Sequence, residues 1–298
     1  MTTSIDKADA YSVCAIIVTY HPSVAMAANL SKVLEQVQGL VVVDNGSTPE
    51  ELATVRAACQ QGNDHLIENG ENLGIAEALN RGVQWATGQG FPWVIFLDQD
   101  SQMTDGFIEK MFAAWRRCSD RNRIAAIQPT YWNPETKEIS SVYRAKDGGP
   151  VSSFTSGSLM PTWIFDKIGL FEPKYFIDFV DTEYCFRIRQ ATYRIIDSTE
   201  AVMIHSRGDA KNMSFLWFKW INYNYSPMRR YYISRNCVVF SRKYIFHFPR
   251  WTLYCIYGVI KDTVKCILAE HGRLRNLHNV VLGLWDGAVG RMGKREGV

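Results

Sequence analysis

The sequence predicts an α/β protein with a doubly wound, mostly parallel sheet flanked by helices and a helical appendage at its carboxyl end. Three observations predict this class. Short apolar runs alternate with segments of helical periodicity through the first half of the chain. Several runs end in Asp, at the strand ends where open α/β sheets bind ligands. Near its carboxyl end the chain shows helical periodicity alone, so we divide it into a domain over residues 1–240 and a helical region over residues 241–298.

The predicted strands are short runs rich in β-branched and aromatic residues. In chain order they are Val13–Tyr20, Leu40–Val43, His65–Ile67, Val94–Asp98, Ile195–Ser198 and Val202–Ile204. Helices are predicted from apolar spacing and capping residues. Four helices are predicted from their starts: after Ser23, after a capping box of Thr48 and Glu51, after a Thr104 cap, and near Asp181. Four more are predicted over Ile75–Ala86, Trp163–Ile168, Phe246–Leu268 and Leu274–Val289.

The central strand ends in two carboxylates, Asp98 and Asp100. In an extended chain residues two apart project to the same side. Neighbouring carboxylates repel each other unless a cation lies between them, and a hard divalent ion carrying a diphosphate would supply it. The alternative is a solvated pair in a turn. The sequence has no Gly-x-Gly-x-x-Gly motif after the first strand and no Walker loop, which argues against a dehydrogenase or a phosphate-loop enzyme.

The net charge of +3 is unevenly distributed. Residues 205–298 contain 16 Lys and Arg against 5 acidic residues, and residues 1–204 contain 17 against 25. A basic segment rich in aromatic residues suits an anionic membrane surface, although a basic, aromatic helical core would show the same composition. The seven scattered Cys predict reduced thiols in the cytoplasm. We expect neither a cleavable signal nor a membrane-spanning segment.

Four motifs in this order resemble a known family: the strand end Thr19-Tyr20, the turn Asp44-Asn45-Gly46-Ser47, Asn72-Leu73-Gly74, and Asp98-Gln99-Asp100. Together they resemble inverting family 2 glycosyltransferases of the GT-A fold, over roughly residues 13–240. More narrowly, residues 96–101 are similar to the metal motif of bacterial rhamnosyltransferases that use dTDP-L-rhamnose.

The resemblance implies roles at the donor site. Thr19 and Tyr20 would lie under the nucleoside, and Asp44 would accept a hydrogen bond from the pyrimidine base. Three residues would flank the nucleotide: Asn72, Gly74 and Asn80. Its diphosphate would be bound through Mg²⁺ or Mn²⁺ by Asp98, Asp100 and His205, and directly by Arg229 and Arg230. Gly157 and Ser158 would approach the donor sugar. Structural roles stay open: a turn cap for Asp44, a helix cap for Asn72, an ordinary turn at 156–158, a structural His205 and a solvated face for the two arginines.

On the acceptor side, aligning Cys185 and Arg187 with the family pattern places Asp181 at the position of the catalytic base. Direct displacement requires such a base, because the acceptor hydroxyl must lose its proton as it attacks. Residues two apart on a helix point about 200° from each other, so Asp181 and Glu183 cannot both face one pocket. Glu183 would orient a neighbour or bind the acceptor, and Asp178 would be a cap or a supporting group.

The functional hypothesis is a metal-dependent, inverting rhamnosyltransferase that builds a bacterial surface polysaccharide, such as O-antigen lipopolysaccharide, on a lipid-linked glycan acceptor. It would lie on the cytoplasmic, inner face of the plasma membrane, and nucleic acid is not an expected partner. The alternatives are the same fold with another nucleotide sugar, and a catalytically degenerate binding protein at the membrane. The apolar faces of the last two helices could equally form a homodimer.

Overall fold

The computed structural model describes residues 9–23, 26–59, 64–134, 137–139, 143–204, 211–215, 218–222, 225–270 and 272–297. The chain forms two compact units. Unit 1 contains Met1–Glu172 and Tyr184–Ser206, and unit 2 contains Pro173–Glu183 and Arg207–Val298. The expected division after residue 240 falls inside a helix of unit 2, Pro227–Tyr244.

Unit 1 is built on a large sheet, and its α/β, doubly wound, mostly parallel architecture confirms the predicted fold class. The strands are β1 (Val13–Thr19), β2 (Gly39–Asp44), β3 (Asp64–Glu68), β4 (Trp93–Asp98), β5 (Gln102–Met103), β6 (Ile124–Asn133), β7 (Glu138–Ile139), β8 (Leu159–Pro161) and β9 (Arg194–Ile204). Over the described residues their order is β3-β2-β1-β4-β8-β6-β9-β5, with β7 paired to β6. Strands β3, β2, β1 and β4 run parallel, so their carboxyl ends share one edge.

Helices cover this sheet. Those of unit 1 are α1 (Met26–Leu34), α2 (Pro49–Ala58), α3 (Ile75–Gly88), α4 (Phe107–Arg116) and α5 (Trp163–Ile168), and α6 (Val180–Gln190) begins in unit 2 and continues into unit 1. All residues of β1 are buried. Helix α3 approaches β1 closely because Gly82 has no side chain: a Cβ there would lie 2.4 Å from Ile16 Cγ2.

The capping box before α2 is confirmed, with Thr48 accepting from the Glu51 amide. The expected Thr104 cap is wrong: α4 begins behind Gly106, and the Thr104 hydroxyl donates to the Val202 carbonyl over 2.9 Å. The two short strands expected at 195–204 form the single strand β9, which pairs in parallel with β6.

Unit 2 contains the hairpin β10 (Lys211–Phe215) and β11 (Phe218–Asn222), followed by helices α7 (Pro227–Tyr244), α8 (Pro249–Ala269) and α9 (Arg273–Val289). Helices α7 and α9 pack backbone to backbone at Gly283 and Gly287. A Cβ at Gly283 would lie 2.3 Å from the Tyr231 carbonyl oxygen, so only glycine permits this approach. Helices α8 and α9 confirm the two amphipathic helices expected near the carboxyl end.

Large apolar side chains lie exposed along α8 and α9. On α8 they recur at helical spacing and form one stripe: Leu253, Tyr257, Ile260, Val264 and Ile267. On α9 the exposed apolar residues include Leu274, Val281, Leu284, Trp285 and Val289. Among the helices that the structure describes, none combines the length and the apolar character needed to cross a membrane.

Candidate functional site

The strand-end edge of unit 1 comprises the carboxyl ends of β1, β2 and β4 with the turns that follow them. The register pairs Thr19 with Asp44 and Val18 with Asp98. Three of the predicted site residues are therefore brought to one edge by backbone pairing alone. The position of this edge agrees with the general placement of ligands in open α/β sheets.

The acid pair lies on a turn. Asp98 is the last residue of β4, and the Ser101 amide donates to the Asp98 carbonyl over 3.1 Å, which closes a turn through Gln99 and Asp100. The expected extended geometry therefore holds only as far as Asp98. Ser156 supports the turn: its hydroxyl accepts from the Asp98 amide at 3.0 Å and lies 2.7 Å from the Ser101 hydroxyl.

The donor set of this turn fits a hard divalent cation. Asp98 is half-buried and Asp100 is exposed, and carboxylate oxygens are the protein ligands that Mg²⁺ and Mn²⁺ prefer. The described residues include no cluster of three or more His, Cys, Asp or Glu that could hold a metal. Two carboxylates with water and substrate phosphates are an ordinary Mg²⁺ environment, so a complete protein cage is not required. His205 lies outside the described residues.

The Asp44 carboxylate is fully occupied by groups of its own turn and of the β1 end. One oxygen accepts from the hydroxyls of Thr19 and Ser47, and the other accepts from the amides of Gly46 and Ser47 at 3.1 and 3.0 Å. The residue is 1% exposed. Since a carboxylate has about four lone-pair sites, this arrangement favours the turn-cap role over contact with a base. The base-binding role of Asp44 stays a prediction.

Asparagines join the turn after β2 to the segment before α3. The Asn45 side chain donates to Asn72 Oδ1 at 3.1 Å, and the same Asn72 oxygen accepts from the Gly74 amide at 2.9 Å. Gly46 has φ +91°, and a Cβ there would lie 2.6 Å from the Glu71 carbonyl carbon. The two loops are thus packed together at a position that requires glycine.

Asn80 has a different environment from the one we expected. It is 4% exposed, its Nδ2 donates to the Phe171 carbonyl at 2.8 Å, and its Oδ1 accepts from the Phe171 amide at 2.9 Å. Both ends of the amide are therefore occupied by backbone. This arrangement favours a role in packing over one in flanking a nucleotide.

The 156–158 segment forms hydrogen bonds with β4 and with the turn that carries the acid pair. The Gly157 amide donates to the Phe96 carbonyl at 2.7 Å, and φ is +84°. Ser158 is fully buried; its hydroxyl donates to the Phe154 carbonyl and accepts from Gln128, both at 2.6 Å. Ser158 thus serves the structure of the segment, and the hydroxyl next to the acid pair belongs to Ser156.

The predicted site residue Tyr20 lies in a turn with His21, a residue that the sequence did not single out. Tyr20 is 45% exposed, and its ring centroid lies 4.1 Å from that of His21. The His21 amide donates to Ser47 Oγ at 3.1 Å, and His21 Nδ1 lies 2.7 Å from a Glu51 oxygen. The sequence signalled Glu51 only as part of a capping box. The contact of Glu51 with His21 depends on the parallel pairing of β1 with β2, which sequence periodicity does not reveal.

The acidic segment of unit 2, residues 178–183, contains the predicted base. Asp181 is half-buried in the first turn of α6. Burial raises the pKa of Asp181 to about 6, and the charge of Asp178 adds to the rise, whereas the Thr182 amide, 2.7 Å away, opposes it. A carboxylate whose pKa lies near the working pH is suited to take up a proton.

The neighbouring acids of this segment are held by cations. Asp178 accepts two hydrogen bonds from Arg229, at 2.8 and 3.3 Å. Glu183 is 1% exposed and accepts from Lys243 at 2.7 Å and from the Tyr244 hydroxyl at 3.0 Å. The three acids thus have different surroundings: Asp178 and Glu183 are bonded to cationic side chains, and Asp181 is half-buried with a raised pKa.

The two arginines proposed for the diphosphate also differ. Arg230 is 4% exposed and its guanidinium donates to both oxygens of Glu270, at 2.5 and 2.7 Å. Arg229 has a side chain that is 42% exposed. This geometry favours a structural role for Arg230 and leaves Arg229 as the stronger candidate for an anion.

The loop before α6 has an uncommon backbone. Phe176, Asp178 and Phe179 have φ of 66°, 60° and 63°, in the left-handed region. The Asn236 amide donates to the carbonyls of Tyr175, Ile177 and Asp178 at 3.0, 2.8 and 2.9 Å. One side chain of α7 therefore fixes the loop that leads to Asp181, a role that the sequence did not indicate.

Comparisons with known proteins agree with this architecture. Residues 14–191 match the family described as glycosyl transferase family 2. Over 95% of this chain and 97% of the relative, the sequence is 29% identical to the dTDP-rhamnosyl transferase RfbF of Shigella flexneri.

Two solved structures share the fold. One is the mannosyltransferase PcManGT from Pyrobaculum calidifontis in complex with GDP-Man and Mn²⁺ (TM-score 0.56, 15% identity, 93% of this chain and 86% of the other). The other is S. aureus TarS (TM-score 0.55, 12% identity, 94% of this chain and 44% of the other). Because the family match covers more than half of the sequence, this chain belongs to glycosyl transferase family 2 and is a glycosyltransferase of the GT-A fold.

Proposed function

We propose that this glycosyltransferase transfers L-rhamnose from dTDP-L-rhamnose to a hydroxyl of a lipid-linked bacterial polysaccharide acceptor, with inversion and with Mg²⁺ or Mn²⁺ bound. The observation that carries the donor assignment is the near full-length similarity to a dTDP-rhamnosyl transferase. The strand-end edge supports it, because its paired carboxylates and exposed Tyr20 ring suit a metal-bound nucleotide.

In the proposed mechanism Asp98 and Asp100 would hold the cation. When bound, the cation supplies Lewis-acid stabilisation of the departing diphosphate. Asp181 takes the proton of the acceptor hydroxyl as that oxygen attacks the anomeric carbon, and its raised pKa supports this role. Of the two candidate arginines, Arg229 would be the one to bind a phosphate, since its side chain is 42% exposed.

The test is release of dTDP from dTDP-L-rhamnose in the presence of Mn²⁺ and a lipid-linked glycan, compared with dTDP-linked glucose, UDP-GlcNAc and GDP-mannose. Rhamnose should be the preferred donor sugar, and chelation with EDTA should abolish transfer. The matched variants are Asp100→Asn and Asp181→Asn. Faster transfer from another nucleotide sugar would contradict the donor assignment, and equal rates in all three proteins would contradict the assigned residues.

We also propose that the apolar stripe of α8, with the exposed residues of α9, rests on the anionic inner face of the bacterial plasma membrane. Arg250, Lys261 and Arg273 are exposed on the same helices and suit anionic headgroups. Vesicle flotation with anionic lipid tests this, with Tyr257→Ser/Ile260→Ser as the variant. A wild-type protein that forms a dimer and does not float would favour a homodimer through the same faces.

A further inference from the structure

We propose that Gln99 is a positioning residue for the donor nucleotide, because its side-chain amide ties the Tyr20 turn to the turn that carries the acid pair. The inference rests on the proposed function, in which the donor binds at the strand-end edge. It assigns a physical task to the residue between the two aspartates.

The contact is reciprocal. The Tyr20 amide donates to Gln99 Oε1 at 3.0 Å, and Gln99 Nε2 donates to the Tyr20 carbonyl at 3.4 Å. Backbone pairing between β1 and β4 ends at Val18 and Asp98. The Gln99 amide therefore continues the connection between the two strands beyond the point where their backbones stop pairing.

A primary amide is the group that this contact requires. It offers one acceptor and one donor side by side, whereas an ionised carboxylate only accepts and an ammonium only donates. Gln is also neutral, so the turn has the two charges of Asp98 and Asp100 and no third. Glutamate at position 99 would lose the bond to the Tyr20 carbonyl and add a negative charge beside the acid pair.

The other side of the Tyr20 turn is fixed as well. His21 has φ 49°, a conformation that L-residues seldom adopt and that surrounding contacts must maintain. Its amide is bonded to Ser47 and its ring contacts Glu51. The turn after β4 holds the Tyr20 backbone through Gln99, and the turn after β2 holds the next residue through Ser47, so Tyr20 presents its exposed ring in a fixed place. An aromatic ring so placed is suited to stack against a flat base.

Asn80 makes the same kind of contact with Phe171, again through one donated and one accepted hydrogen bond. That contact is buried, so its loss should lower stability. The Gln99 contact is at the surface of unit 1, where each hydrogen bond contributes little to folding. The same kind of contact thus stabilises the fold at Asn80 and positions a ligand-binding turn at Gln99.

The experiment compares Gln99→Met, which keeps length and neutrality, with Asp100→Asn. Loss of two hydrogen bonds predicts roughly tenfold faster hydrogen–deuterium exchange at the Tyr20 amide in Gln99→Met. We expect the Kd for dTDP to rise about fivefold to tenfold by calorimetry, by the same factor with and without Mn²⁺. Asp100→Asn should weaken only the Mn²⁺-dependent part of dTDP binding and leave exchange at Tyr20 unchanged.

In turnover, Gln99→Met should raise KM for the nucleotide sugar by the same factor as Kd and leave kcat within about twofold. Gln99→Glu, which keeps one of the two bonds, should show intermediate exchange at Tyr20. Wild-type exchange at Tyr20 in Gln99→Met, or an unchanged Kd for dTDP, would overturn the proposal. A wild-type protein that binds dTDP but transfers no rhamnose would overturn the donor-sugar assignment alone, since the binding comparison still decides the role of Gln99.

Discussion

The strand-end edge of unit 1 and the acidic segment of unit 2 are fixed by different kinds of interaction. At the strand-end edge, hydroxyl and amide groups from neighbouring strand ends bond to one another within a regular parallel sheet. In the acidic segment, left-handed residues and ion pairs are held by α7, about fifty residues further along the chain. Contacts in both regions join residues far apart in the chain, but the strands of the first region are predicted by local apolar runs, whereas the second depends on a helix that local sequence does not predict.

The largest effect is expected in the acidic segment. Asp181→Asn should lower kcat by about 10²- to 10⁴-fold, because general-base catalysis contributes a factor of that order. In the wild type, kcat should fall as the pH drops below about 6, where the Asp181 carboxyl becomes protonated. The variant should lose this acidic limb. A pH–rate profile of dTDP release for both proteins provides the measurement, and an unchanged profile in the variant would remove Asp181 from the mechanism.

A second prediction separates the two adjacent arginines of α7. Arg230→Met leaves the buried Glu270 carboxylate without its guanidinium and should lower the free energy of unfolding by about 3–5 kcal/mol. Arg229→Met removes a partly exposed pair and should cost about 1 kcal/mol or less. Urea unfolding followed by tryptophan fluorescence measures both.

The control for this pair is the double variant Arg230→Met/Glu270→Met. It removes both buried charges and should recover most of the stability lost by Arg230→Met. Equal losses for the two single arginine variants would show that burial does not distinguish them.

At the strand-end edge, a third prediction concerns Gly46. Gly46→Ala combines a left-handed backbone with a collision against Glu71, and it should lower the free energy of unfolding by about 3 kcal/mol. Gly70→Ala is the matched control: φ is +75° but no atom lies within 4 Å of the added Cβ, so a loss of about 1 kcal/mol is expected. Similar melting temperatures for the two variants would contradict tight packing of the two loops.

The smallest effect is a pH dependence of stability at Asp181. The folded-state pKa of about 6 lies above that of an unfolded Asp, so the folded state binds more protons between about pH 4 and 6. This group's contribution to stability therefore falls as the pH rises through that window. Asp181→Asn should remove the decrease, on the order of 1 kcal/mol for a half-buried carboxyl. If the free energy of unfolding changes with pH in the same way in the variant and the wild type from pH 4 to 7, Asp181 makes no such contribution.

The strands of the strand-end edge could be predicted because their residues are uniformly apolar and end in polar turns. Strand β6 could not, because Pro129 lies within it, and proline normally argues against a strand. The structure accommodates Pro129 at a register shift between Gln128 and Thr130. Helix α7 was missed because its buried residues include Arg230, Ser234, Arg235 and Asn236, which produce no apolar periodicity.

The candidate site shows the same division. Asp98 and Asp100 could be singled out because they lie at the end of a predicted strand, and Asp181 was singled out by the resemblance to the family pattern. The partners of Asp44, Asn80 and Arg230 could not be foreseen, since each contact joins elements whose pairing is not encoded locally. The sequence and the resemblance predict the acids, and the fold shows which of them are bonded to other groups of the protein.

The left-handed loop before α6 bears on how this enzyme could be improved. Glycine at Phe176 would relieve about 1 kcal/mol of backbone strain, but it would remove a buried ring that stacks on Tyr232, at a cost of about 3–5 kcal/mol. A glycine variant should therefore unfold at a lower temperature and hold the nearby carboxylate less firmly. Heat resistance and turnover would thus decline together on relaxing this loop.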